Sequence, residues 1–318
     1  MPKAGFEVLE AHYRTKSGEP SPKKDRFLVD KFDAETGARA YLPLSNPKMS
    51  GLFRRFAELA DEEGFVRFAN EFGCLEMHAK GAGSLTYHLI GREYPTDPFT
   101  GGLQFEFGES IDLWANEAAD MRRLVSLWDA ARTNDTRTLA AHIRWRSNPK
   151  AVEYVWGSKD NQGLQPFHMV AHEDTATRYR FDLFRQGALV EPAMFYIQHA
   201  LNERLELNLS APRLLWNARY QRLQVHIVPS SLKSALWLQL AKAIEGSKDY
   251  RQCDSCRIWY ELGATARRGS KYCSEACRQR AKRKRVKEAR ELASSGLPER
   301  DIAARVGSSI EAVQRWLK

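Results

Sequence analysis

"KYCSEACRQRAKRKR", Lys271 to Arg285, sets two cysteines four positions apart and follows them with a dense run of positive charge. Ser274 is a good helix N-cap, which places Cys277 at the third helical position, so the two thiols stand at the root of a helix. From Arg278 to Arg290 eight of thirteen residues are Lys or Arg, and Glu288 is the one acid among them. Either the cysteines are incidental beside a solvated charged face, or a metal anchors a helix that meets a polyanion.

The preceding residues favour the metal. Cys253 and Cys256 form a C-x2-C pair, and after sixteen intervening residues Cys273 and Cys277 form a C-x3-C pair. Four thiolates in two close pairs can surround one zinc ion tetrahedrally at about 2.3 Å. The intervening RIWYELGATARRGSKY has enough alternation and glycine for a small hairpin or loop. A polar segment this short could not bury four reduced thiols without a metal. Four sulfur ligands also leave no open position for water, so the expected Zn2+ is structural. A knuckle plus a helix base is the treble-clef arrangement; a zinc ribbon is the alternative, disfavoured because the second pair leads into helix. Arg267, Arg268, Lys271 and Arg278 can offset the two formal negative charges of such a site, so part of the local charge serves the metal.

A helix from Ser274 to Ser295 would be about 33 Å long at 1.5 Å per residue. Ala281, Val286, Ala289, Leu292 and Ala293 give it a narrow apolar side. Repulsion among its cations is unfavourable in isolation, and phosphate would relieve it. Arg278, Arg280, Lys282, Arg283, Lys284, Arg285 and Lys287 are therefore the candidate contacts to double-stranded DNA. The whole chain agrees: Lys248 to Lys318 hold 18 Lys and Arg against 9 Asp and Glu, so the formal net charge of +9 lies entirely in this tail. Such asymmetry suggests a polyanion-binding tail on a neutral body.

The final residues, ARELASSGLPERDIAARVGSSIEAVQRWLK, resemble the trihelical helix-turn-helix of many bacterial regulators, resolvases and transposases. Gly296 closes the first helix, Leu297 and Pro298 start the second, Ile302 and Val306 point inward, and Ala303 permits a close crossing. Gly307 allows the turn, Ser309 caps the third helix, and Val313 with Trp316 or Leu317 completes the core. In such modules the third helix enters the major groove, and the resemblance places Ser309, Glu311, Ala312, Gln314, Arg315 and Lys318 at DNA. The third helix is short, and Glu311 stands where DNA binders usually carry a neutral residue. The cysteine module, chiefly KYCSEACRQR, is similar to the C-terminal CGNR-type fingers of bacterial transcription regulators. It departs from them in having Cys277-Arg278-Gln279-Arg280 in place of Cys-Gly-Asn-Arg, and in a shorter last cysteine spacing. The resemblance implies the finger fold and zinc at Cys253, Cys256, Cys273 and Cys277.

The first 247 residues read as a mixed α+β domain for sensing or dimerisation, followed by a finger over 248–283 and a helix-turn-helix over 284–318. RFLVDKF and ARAYLPL are expected to form a hairpin. LFRRFAELA and FVRFANEFG read as short helices, and GREYPTDPFTGG as a loop. Ile111, Trp114, Ala118, Met121, Val125 and Trp128 form one apolar stripe of a long helix, with the ESIDLW and EAADMRR carboxylates on its solvated side. AVEYVW, RYRFDLF, PRLLWN and LQVHIV read as strands, and SSLKSALWLQLAKAIEG as a capped helix. His168 and His172 are four apart but lack the glutamate of a zinc-protease motif. Cys74 reads as a small buried hydrophobe, and the tryptophans as core.

No apolar segment at the start reads as a secretory signal, and LKSALWLQLAKAI is too short to span a bilayer, so a cytoplasmic protein away from membranes is expected. The sequence-level reading is a zinc-containing, sequence-specific DNA-binding regulator and not an enzyme, with a homodimer and an unidentified small ligand left open. Two alternatives stand: a nuclease or recombinase whose catalytic body is the first domain, and an RNA-binding or partner-docking protein.

Overall fold

The computed structural model describes residues 6–11, 25–30, 50–76, 88–91, 105–147, 150–155, 168–170, 185–207, 211–217, 221–229, 231–263 and 270–318. It is an α+β protein of two compact units, one comprising residues 1–43 and 52–246, the other 44–51 and 247–318.

In the first unit, β1 (Phe6–Ala11), β2 (Asp25–Asp30), β3 (His88–Gly91) and β4 (Phe105–Ser110) form an antiparallel sheet in the order β1-β2-β4-β3. Both edges of β2 are thus taken, by β1 and β4. This corrects the expected pairing of RFLVDKF with ARAYLPL, whose residues 38–44 lie outside the described residues. Two short helices follow, α1 (Leu52–Ala57) and α2 (Glu62–Phe72). Asp61 caps α2 by accepting from the Gly64 N–H, and Gly73 ends it at φ 91.

The long helix α3 (Ile111–Thr133) is central, packed on α1, on α4 (Thr136–His142), on α5 (Val190–Leu207) and on α6 (Leu232–Glu245). The expected stripe is buried throughout, and Trp114, Met121 and Trp237 are 0–1% exposed. The carboxylates are where the sequence reading fails. Glu109, Glu117 and Asp120 are buried, not solvated, because helices cover α3 on more than one side; only Asp112 of the four is exposed. Glu109 accepts from the backbone N–H groups of Leu75 (2.9 Å) and Glu76 (2.6 Å) and from the Trp114 indole (2.9 Å). Glu117 accepts from Trp237 at 3.0 Å and from Arg204 at 2.9 Å, while Arg204 also pairs with Asp120 and Lys233 with Glu76.

A three-stranded antiparallel sheet joins β5 (Ile143–Ser147), β6 (Lys150–Tyr154) and β7 (His168–Val170). His172, the loop over residues 92–102 and RYRFDLF lie outside the described residues. β8 (Ala211–Asn217) and β9 (Arg222–Val228) form a two-stranded ribbon. Its register puts Leu214 opposite Val225 and Pro212 opposite Ile227, and with Leu223 these make an exposed apolar face. Cys74 is buried, as expected of a small hydrophobe.

In the second unit, β10 (Tyr250–Gln252) and β11 (Trp259–Glu261) form a hairpin. Three helices follow: α7 (Glu275–Ser294), α8 (Glu299–Arg305) and α9 (Ile310–Leu317). The expected division at 283/284 falls inside α7, which runs unbroken from the cysteines into the terminal helices. Ala289, Ile302, Ala303, Val306 and Val313 form their common core, flanked by Leu292, Trp316 and Leu317. Two glycines stop helices in the same way. Gly296, at φ 82, donates to the Ala293 carbonyl and Leu297 to that of Leu292; Gly307, at φ 61, donates to Ala304 and Ser308 to Ala303. Each is a left-handed cap that satisfies carbonyls left open at a helix end. Among the described residues no helix is long and apolar enough to cross a membrane.

Candidate metal centre

The C-x2-C pair sits at the tip of the β10–β11 hairpin. The Cys253 N–H donates to the Ile258 carbonyl at 3.0 Å, and Arg257, at φ 62, returns its N–H to the Cys253 carbonyl at 2.8 Å. This tight reversal turns both sulfurs to one side. The second pair is brought to the first by backbone contacts. The Ser270 carbonyl accepts from the Tyr260 hydroxyl at 2.8 Å and from Arg251 at 2.9 Å, and the Lys271 carbonyl accepts from the Asp254 N–H at 3.0 Å. The Ser274 hydroxyl then caps α7 by accepting from the Cys277 N–H at 3.3 Å, which fixes Cys277 in the first helical turn. Residues far upstream also belong here. The Ser50 hydroxyl accepts from the Glu261 N–H at 3.3 Å, and Gly51 lies so close to Trp259 that a Cβ would stand 2.5 Å from the Trp259 Cβ.

The four sulfurs lie within 4.8 Å of one another. Cys273 Sγ is 3.6 Å from Cys256 Sγ and 3.6 Å from Cys277 Sγ. A tetrahedron with sulfur at about 2.3 Å from its centre has edges of about 3.8 Å, so the donor set fits one four-coordinate ion. Cys253 and Cys277 are buried, Cys256 is half-buried and Cys273 is exposed. Burial lifts the Cys253 thiol, but N–H donors from Cys256, Cys273 and Ser255 outweigh it and bring it down to about 6. Burial of the sulfur, together with proton sharing with Cys277, Cys256 and Cys253, pushes Cys273 up to about 12, although the residue as a whole is exposed. Cys256 is raised by burial as well. The Cys253 sulfur also accepts the Cys273 N–H at 3.4 Å.

Beyond Cys277 most of the cations are exposed. Arg278, Arg280, Lys282, Arg283, Lys284 and Lys287 are exposed and Arg285 is half-buried. Arg278 pairs with Glu275 at 2.7 Å, and Lys287 with Glu291 at 3.7 Å. Arg280, Lys282, Arg283, Lys284 and Arg285 have no acid partner among the described residues. An open groove follows one side of α7, with Lys282, Arg283, Lys287 and Arg290 in its walls.

The side chains expected to read bases on α9 are partly engaged. Ser309 caps the helix by accepting from the Ala312 N–H at 3.3 Å. Gln314 donates to Glu299 at 2.8 Å, and Arg315 to the Glu311 carbonyl at 3.2 Å. Its own backbone N–H, then the Ser309 hydroxyl, hold the Glu311 carboxyl below its ordinary range. Glu311, Gln314, Arg315 and Lys318 are exposed, and Ala312 is half-buried.

Two features escaped the sequence reading. Ser50 and Gly51 carry no motif that links them to residues 210 or so positions later. Glu117 had a signal: it lies three after Trp114 and four before Met121, inside the apolar stripe. No family model, curated protein or solved structure matches this chain.

Proposed function

We propose that the chain is a zinc-containing, sequence-specific DNA-binding protein of the transcription-regulator kind. The observation that carries this reading is the rooting of α7. One end is held in a four-sulfur cluster, and five cations farther along it lack acid partners among the described residues. Zinc suits four thiolates in a tetrahedron, and with every position filled by protein its role is structural. Cys253, Cys256, Cys273 and Cys277 hold it and thereby fix the direction of a cationic helix. Phosphate neutralisation by Arg278, Arg280, Lys282, Arg283, Lys284, Arg285 and Lys287 supplies affinity, and base-edge contacts from the exposed sides of the terminal helices supply selectivity.

The test pairs a metal assay with DNA binding. Purified protein should carry one zinc per chain. It should bind duplex DNA with an affinity that falls by about a thousandfold between about 50 and 200 mM salt, as six or so neutralised phosphates require. Affinity that does not change with salt would overturn the phosphate account.

A further inference from the structure

The cations of α7 are arranged in a way that neutralising a single row of phosphates does not require. Arg278, Lys282 and Arg285 follow i, i+4, i+7 spacing, and Arg280, Lys284 and Lys287 repeat the same spacing two residues later. At about 100° per residue the two stripes lie roughly 160° apart, on opposite sides of the helix axis. Arg278 and Lys282 on one side are exposed, and so are Arg280, Lys284 and Lys287 on the other. A helix resting on one phosphodiester backbone could use only one of these stripes. The other would keep its self-repulsion and gain nothing.

We infer that the Arg278–Lys287 stretch of α7 lies lengthwise in the major groove of B-form DNA, with one cationic stripe turned to each of the two phosphate backbones that wall it. The inference rests on the DNA reading above and assigns the groove to α7, leaving α9 to contact DNA from the end of that rod. Dimensions agree. An α-helix with its side chains is about 10–12 Å across, and the major groove is about 12 Å wide whereas the minor groove is about 6 Å. The stretch is about 14 Å long at 1.5 Å per residue, and each strand carries one phosphate per about 3.4 Å of duplex axis, so each wall presents more than one phosphate to its stripe. The engagement of Gln314 by Glu299 and of Ser309 in its own cap points the same way, since two of the side chains expected at bases on α9 are held within the protein. A-form RNA is disfavoured because its major groove is too narrow to be read by side chains.

The experiment uses the full zinc-loaded chain. Two double variants, Arg278→Gln with Lys282→Gln and Arg280→Gln with Lys284→Gln, remove equal charge from opposite sides of α7 at identical spacing. Zinc content and helicity are checked in each, and affinity for a 30-base-pair duplex is followed across a salt series. Each pair should lower the slope of log K against log salt by about 1.8, with losses of affinity that agree within about twofold. A slope change confined to one pair means that α7 lies against a single backbone, and overturns the inference while leaving DNA binding intact. A second arm needs no variant. Duplex carrying glucosylated 5-hydroxymethylcytosine, which fills the major groove, should bind at least tenfold more weakly, and netropsin in the minor groove should not compete. Unimpaired binding to the filled groove, or RNA duplex bound as tightly as DNA, also overturns it. Wild-type protein that binds no duplex at low salt defeats the underlying DNA reading instead.

Discussion

The backbone N–H of Cys273 points at the sulfur of Cys253 from 3.4 Å, so one ligand pair hydrogen-bonds the other before any ion is considered. The same residue places its own sulfur 3.6 Å from both Cys256 and Cys277. Replacing Cys273 with serine keeps the N–H donor and removes the sulfur that touches two others. Cys273→Ser should abolish stoichiometric zinc, and chelation of the wild-type ion should lower the thermal stability of the second unit. Metal analysis and circular dichroism check both; full zinc and unchanged melting in the variant would refute the assignment.

Half-buried Arg204 and buried Glu117 pair at 2.9 Å, and the two partners should respond unequally to substitution. Arg204→Met leaves Glu117 with Lys233 at 3.8 Å and Asp120 with Arg123 at 3.2 Å, and should destabilise the first unit by about 1–3 kcal/mol. Glu117→Gln should cost less. Burial, only partly countered by Arg204 and Trp237, raises the Glu117 carboxyl above its ordinary value of 4.5. Because the folded value exceeds the unfolded one, wild-type stability declines as pH rises from 4.5 through the folded value, and the glutamine variant escapes that decline. Urea melts at pH 5 and 7.5 should show the gap between variant and wild type narrowing at the higher pH; a gap that widens contradicts this.

Gly51 has no room for a side chain. A Cβ there would meet the Trp259 Cβ at 2.5 Å and the Trp259 carbonyl oxygen at 3.1 Å, contacts that flexible side-chain ends cannot relieve. Gly51→Ala should destabilise the second unit by about 1–3 kcal/mol. A melt that resolves the two units should show the loss in the second.

Gly296 and Gly307 each hold a left-handed conformation, at φ 82 and φ 61. Nothing lies within 4 Å of a Cβ built at either, so alanine is opposed by backbone strain alone. Each alanine variant should lower stability by about 1–2 kcal/mol while zinc content stays at one per chain. Loss of zinc in either would mean that the terminal helices and the cysteine cluster are coupled more closely than their separate cores imply.

What was legible in the chain was what is local. The cap at Ser274, the position of Cys277, the stops at Gly296 and Gly307 and the inward Ile302, Val306 and Val313 all depend on neighbours within a few residues, and spacing alone locates them. Burial of Glu117 and Asp120 depends instead on Arg204 and Trp237 arriving from distant helices. A charged residue within an apolar stripe is a signal, but it is overridden in most helices by a solvated reading. Strand pairing fails for the same reason: β2 takes β1 and β4 as neighbours, and the turn that follows it cannot announce a partner some eighty residues away.

Ser50 and Gly51 make the carboxy-terminal unit discontinuous along the chain, and this bears on how it can be handled. A fusion that grafts residues 247–318 onto another protein would carry all four sulfurs and the three terminal helices but leave the outer side of Trp259 bare and the Glu261 N–H without its hydroxyl. The unit is not a portable cassette. A transplant that is to behave like the parent has to bring residues 44–51 with it.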